Sequence, residues 1–134
     1  NPEGIMTDYL WKDILTKMKL SRIIENYVQV VVEENPETRK KSVKQIWPRY
    51  HQLDCVEKLL ADVRQYGVGK RYLIQHSAGS GKSNSIAWLA HQLIGLERDG
   101  RPMIDSVIVV TGRRILDKQI WTSRSGIRLN SSCR

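Results

Sequence analysis

One short run combines residue types and spacing that suit phosphate chemistry. Tyr72-Leu73-Ile74-Gln75-His76-Ser77-Ala78-Gly79-Ser80-Gly81-Lys82-Ser83 places an apolar stretch, a small-residue loop and Gly-Lys-Ser in succession, and a helical pattern follows at once. That order is what a phosphate-binding loop requires. Gly79 and Gly81 let the backbone turn tightly and gather N–H groups around one point. A helix beginning near Lys82 adds the positive end of its dipole. Lys82 supplies a mobile cation for β- and γ-phosphates, and the Ser83 hydroxyl is placed to ligate Mg²⁺. The site is therefore expected to hold ATP and Mg²⁺ on Ser77, Ala78, Gly79, Ser80, Gly81, Lys82 and Ser83. His76 stands where the strict G-x-x-x-x-G-K-[ST] pattern has its first glycine.

The flanking elements have to present this loop. Residues 50–66 carry an apolar stripe of Leu53, Val56, Leu59, Leu60 and Val63 at helical spacing, with Pro48 before it and Gly67 and Gly69 after it. Residues 71–75 read as a core strand, and residues 82–96 as a helix packing through Ile86, Leu89, Ala90, Leu93 and Ile94. After a turn at Asp99, Gly100 and Pro102, the β-branched run 106–111 reads as a strand buried on both faces of a parallel sheet. A further helix is expected from Arg113. The order strand, phosphate loop, helix, strand is a βαβ unit with its ligand at the first strand's C-terminal end. Upstream, residues 8–27 read as helix, with Ser21 able to cap a second segment. Residues 28–32 could form a short strand, and residues 33–44, which contain Pro36 and mixed charges, read as a linker.

The 134 residues are enough for one domain, and the formal net charge of +8 favours a polyanionic partner. The positive charge is concentrated in two clusters. One holds Arg39, Lys40, Lys41, Lys44 and Arg49; the other holds Arg113, Arg114, Lys118, Arg124, Arg128 and Arg134. Nucleic acid suits such a distribution, although a solvated basic surface would carry the same residues. No apolar run of membrane-spanning length and no signal peptide is present, so no membrane partner is expected. Cys55 and Cys133 lack metal-ligand spacing and are too few for a disulfide framework, which makes a reducing cytoplasm the expected location. His76 and His91 have no acidic or cysteine partners at metal-binding spacing. The tryptophans and tyrosines are scattered as packing residues rather than as a stacking platform.

Three blocks taken together resemble a known family. The runs Arg49-Tyr50-His51-Gln52-Leu53-Asp54, His76-Ser77-Ala78-Gly79-Ser80-Gly81-Lys82-Ser83 and Val107-Ile108-Val109-Val110-Thr111-Gly112-Arg113-Arg114-Ile115-Leu116-Asp117-Lys118-Gln119 occur in that order. They resemble the first motor domain of the R subunit of type I restriction enzymes, a superfamily-two helicase-like DNA translocase fused to a nuclease. The resemblance is strong over residues 47–120, looser over 11–32, and stops after Ile120. It implies an α/β fold: a partial RecA-like P-loop NTPase domain with parallel strands (residues 47–120), preceded by a helical connector (1–46) and followed by an unrelated, disordered tail (121–134). It implies that Gln52 reads adenine, since a carboxamide both donates and accepts. It also implies that Thr111, Arg113 and Arg114 grip the DNA backbone without reading sequence. The restriction family's pattern favours Arg113 for that contact and the wider helicase pattern Arg114. Gly112 stands where the family often carries an acidic residue. The implied partners are double-stranded DNA and the methylation and specificity subunits of a restriction-modification complex.

Hydrolysis needs an acidic residue to hold Mg²⁺ and orient water, together with an arginine finger. After Ser83 the acidic residues through 120 are Glu97, Asp99, Asp105 and Asp117, and none ends an apolar strand. The chain thus reads as a fragment cut inside a first motor domain, able to bind nucleotide without turnover. So few strands predict marginal stability or association through open strand edges. Two other readings compete: a different P-loop ATP-binding protein, and a non-catalytic basic fragment that holds nucleic acid and ignores ATP.

Overall fold

A computed structural model describes residues 4–34 and 38–110. Thr111, Arg113, Arg114, the expected helix from Arg113 and the tail 121–134 lie outside the described residues. The chain divides into two units, Asn1–Pro48 and Arg49–Arg134.

In the first unit a single π-helical turn, Leu10–Ile14, precedes helix α1, Lys17–Asn26. One continuous helix over 8–27 is therefore not formed. Thr16 has an extended backbone (ψ 142°), and its hydroxyl donates to the Asp13 carbonyl at 2.8 Å, closing the first turn and starting α1 afresh. Ser21 lies inside α1 rather than capping a segment. Strands β1 (Gln29–Glu34) and β2 (Lys41–Ile46) then pair antiparallel, with Val32 opposite Val43. The expected strand at 28–32 is thus formed over 29–34 instead, and the expected linker 33–44 supplies the end of β1 and the first four residues of β2. The reason is pairing: the lysine-rich run 41–46 has little apolar character of its own, but β1 supplies its ladder partners. Val31, Gln29, Ile23 and Tyr27 are buried in this unit, whereas Val30, Val32 and Val43 are exposed.

The second unit is built on two packed helices, α2 (Tyr50–Tyr66) and α3 (Lys82–Ile94). The bounds of α2 are those its apolar stripe predicts, and Leu53, Val56, Leu59, Leu60 and Val63 are all buried. Gly67 ends it with φ +80°, a backbone state open to glycine. The face of α3 differs from expectation. Trp88 is fully buried, with Ser85, Ala87 and Ala90 beside it, while Ile86 and Ile94 are exposed. This helix is apolar over most of its circumference, so its stripe is ambiguous, and burial of the largest side chain sets its rotation. After Gly95, the short strands β3 (Glu97–Arg98) and β4 (Arg101–Pro102) form a hairpin across Asp99 (φ +53°) and Gly100 (φ +72°). Two positive-φ residues at a two-residue tip are the favoured hairpin geometry. The Arg98 guanidinium donates to the carbonyls of Arg64 and Gln65, capping the negative end of α2.

The expected parallel sheet is not present among the described residues, where both sheets are two-stranded and antiparallel. Residues 71–75 and 106–110 have no ladder partner there. Ile108 is 85% exposed and Val110 88%, so the second run is not buried on both faces. A β-branched run specifies an extended backbone, but a strand exists only where another chain segment completes its hydrogen bonds.

Candidate nucleotide site

The site is the loop that enters α3. Gly81 is the N-cap of α3 with a left-handed backbone (φ 78°, ψ 34°), and Gly79 has φ +72°. The turn is closed by the Ser80 N–H donating to the Ser77 carbonyl at 3.3 Å. The helix starts where Asn84 N–H donates to the Gly81 carbonyl at 3.0 Å. Gly81, Lys82 and Ser83 therefore occupy the N-cap and first helical positions, whose N–H groups have no acceptor inside a helix. Those groups and the dipole end suit an anion.

Lys82 is exposed and folds back over the loop. Its ammonium donates to the Ser77 carbonyl at 2.7 Å and the His76 carbonyl at 3.2 Å. The lysine thus lies across the mouth of the loop on two neutral acceptors, which an anionic phosphate oxygen would outcompete. The Ser80 hydroxyl oxygen is buried without a hydrogen-bond partner among the described residues. An orphaned hydroxyl in the loop, a helix start entered through glycine and a cation held by carbonyls together fit a polyphosphate. Ser83, the second residue of α3, is half-buried next to Lys82. Among the described residues there is no group of three or more His, Cys, Asp or Glu side chains that could hold a metal ion.

Helix α2 braces this loop. Gln52 is 2% exposed, and its Oε1 accepts the Arg49 N–H at 2.8 Å. Its Nε2 donates to the Ser80 carbonyl at 3.0 Å and the Gly81 carbonyl at 2.8 Å. The residue expected from the resemblance to read adenine is therefore engaged at both ends of its carboxamide by the protein. His51 also reaches the loop, its Nε2 lying 3.2 Å from the Ser80 carbonyl. The His51 and His76 rings meet edge to face, with centroids 5.1 Å apart. Arg49, His51, His76 and residues 77–80 line an open cavity of about 270 Å³ beside the loop. Neither histidine has a role that sequence spacing assigns. The available signal was the position of His51 in the first turn of the helix that carries Gln52.

The segment leading into the loop is tied to α2 from outside. The Tyr72 hydroxyl and the Lys70 ammonium both donate to the Asp62 carboxylate. The Tyr72 bond first, and then Lys70, hold the Asp62 carboxyl below its ordinary pKa, and the same bond raises that of Tyr72. Lys70 also sits 3.5 Å from the centre of the Tyr66 ring. Beneath, Ile74 and Lys82 share a cavity of about 190 Å³ with Val56, Leu59, Ile86 and Leu89. Cys55 lines the same cavity; partial burial raises its thiol pKa, the Asp54 charge adds to this, and Lys58 opposes it.

Thus the structure brings Gln52 and residues 77–83 together, while Thr111, Arg113 and Arg114 lie outside the described residues. No helix among the described residues is long and apolar enough to cross a membrane. Residues 51–132, more than half of the chain, match the model of a family described as SWI2/SNF2 ATPase. Neither a comparison with curated proteins nor one with solved structures found a match.

Proposed function

Because the chain belongs to the SWI2/SNF2 ATPase family, a group of helicase-like superfamily-two ATPases, we propose that it is the nucleotide-gripping part of an ATP-driven DNA translocase. More narrowly, we propose the R subunit of a type I restriction enzyme, working on double-stranded DNA beside methylation and specificity subunits. The observation that carries the nucleotide reading is Gly81 in a left-handed turn at the start of α3, with Lys82 folded over the loop carbonyls.

Each residue has a task in this reading. The backbone N–H groups of the loop and of the first turn of α3 receive the phosphates. Lys82 neutralises their charge, and Ser83 holds Mg²⁺. Hydrolysis of ATP, which needs the acidic residue and arginine finger of the complete motor, would supply the free energy for stepping along the duplex. Thr111, Arg113 and Arg114 hold the DNA backbone, so that movement is independent of sequence.

The test is calorimetric titration of Mg-ATP into the chain and into Lys82→Ala. Binding by the first and none by the second is expected; equal behaviour of the two, with both folded by circular dichroism, rules out the nucleotide reading. The DNA part is tested by fluorescence anisotropy with a labelled duplex at several salt concentrations. Arg113→Ala and Arg114→Ala together should lower the salt dependence of log K by about 2, near one for each phosphate that is no longer neutralised. An unchanged slope rules out the grip on the DNA backbone.

A further inference from the structure

We infer that Asp62, near the C-terminal end of α2, is a positioning residue for the nucleotide: it anchors the arm of chain that enters the phosphate loop, and through that arm the two carbonyls that hold Lys82. The inference rests on the nucleotide reading above and adds a residue to that site.

The arm is residues 70–75. It belongs to neither sheet among the described residues. All of its residues are exposed, Leu73 by 94%. An exposed segment outside any sheet can sample many backbone states, and a ligand that needs it ordered has to meet that cost. Among the described residues, two polar groups of the arm meet α2. The Tyr72 hydroxyl donates to one oxygen of the Asp62 carboxylate, and the Lys70 ammonium donates to the other at 2.9 Å. Lys70 has a second hold on the helix through the Tyr66 ring, whose centre is 3.5 Å away.

The far end of the arm leads to the groups that hold the cation. His76 and Ser77 follow it, and their carbonyls accept the Lys82 ammonium at 3.2 and 2.7 Å. Three residues separate Tyr72 from His76. At most about 14 Å of chain therefore joins the anchored tyrosine to the first of those carbonyls. A pin at Tyr72 limits where the carbonyls, and with them the ammonium, can lie. Asp62 is a firm post, because Leu59, Leu60 and Val63 around it on α2 are buried. A carboxylate suits the task, since it accepts a donor on each oxygen. The Tyr72 bond first, and then the Lys70 bond, hold its pKa below the ordinary value, so the acceptor stays charged at neutral pH.

The experiment is calorimetric titration of Mg-ATP into wild type, Asp62→Ala, Lys82→Met and the double variant. Alanine favours the helix and removes both bonds. Asp62→Ala by itself is expected to weaken binding about fivefold, the worth of a hydrogen bond. Added to Lys82→Met it should weaken binding by less than about twofold, because the ammonium that the arm's carbonyls hold is gone. No weakening by Asp62→Ala overturns the inference. So does the same factor in both backgrounds, which would make Asp62 a structural residue only. If Asp62→Ala does not fold by circular dichroism, Tyr72→Phe, which loses only the hydroxyl of an exposed residue, takes its place with the same outcomes. A wild-type chain that binds no Mg-ATP overturns the nucleotide reading and this inference with it. Binding that ignores Asp62 overturns the inference alone.

Discussion

The Lys82 ammonium lies 2.7 Å from the Ser77 carbonyl oxygen, so the cation that would neutralise a phosphate is held by the loop it serves. The neighbouring His76 carbonyl is its second acceptor. Being exposed, the ammonium contributes little to folding through these bonds. Lys82→Met should leave the melting temperature within about 2 °C of wild type, a small effect for a surface site. The same change should weaken Mg-ATP by roughly 10- to 100-fold, the value of hydrogen bonds to a charged group. Thermal unfolding and calorimetry on one preparation check both; a large fall in melting temperature would show that the lysine is structural.

Gly79 and Gly81 have similar positive φ but different surroundings. Nothing lies within 4 Å of a Cβ built at Gly79, whereas one at Gly81 meets the Gln52 Nε2 at 2.5 Å. Gly79→Ala should cost about 1–2 kcal/mol, the penalty for a left-handed alanine. Gly81→Ala should cost about 1–3 kcal/mol more, because the buried carboxamide is forced off its acceptors. In a Gln52→Ala background the two alanine substitutions should converge. Urea denaturation of the double-mutant cycle measures this coupling, and simple additivity would contradict it.

The Asp62 tether is sensitive to pH at both ends. The pKa of Asp62 is lowered on folding, chiefly by the Tyr72 hydroxyl, so its contribution is present above the ordinary carboxylate range and is lost as pH falls through the lowered value. The pKa of Tyr72 is raised, so its contribution is full below the ordinary phenol range and is lost as pH rises through the raised value. The tether should therefore hold from mildly acidic to alkaline pH and release at either extreme. Tyr72→Phe should return the Asp62 pKa toward its ordinary value, with Lys70 retaining part of the shift. An NMR titration of the Asp62 carboxyl carbon checks this; no change on substitution would mean that Lys70 alone sets the shift.

Trp88 is fully buried and anchors α3. Trp88→Ala should cost about 3–5 kcal/mol, from the transfer energy forgone and the cavity left behind. Ile86→Ala, on the exposed side of the same helix, should fall within the small range of surface changes, about 0.5 kcal/mol. Urea midpoints of the two variants compare them directly, and equal destabilisation would mean that the helix is rotated from the face described.

Some of this was legible from the residues alone, because local rules determine it. The stripe from Leu53 to Val63 and the glycine after Tyr66 define α2, since a period of 3.6 and a positive-φ stop act within a few residues. The Gly-Lys-Ser turn into α3 is local in the same way: its positive φ at Gly81 admits glycine readily. Other features depended on partners distant in sequence. Strand β2 exists because β1 lies beside it, although residues 41–46 look like a charged linker by themselves. The runs 71–75 and 106–110 carry strand character without a ladder to join among the described residues, because pairing belongs to two segments and never to one. The face of α3 followed from which side of an all-round apolar helix could enclose Trp88. The direction of the Gln52 carboxamide is the clearest case: the residue type allows it to read a base or to brace a loop. Its carboxamide meets the Ser80 and Gly81 carbonyls, 28 and 29 residues away in sequence, only because α2 packs beside the loop.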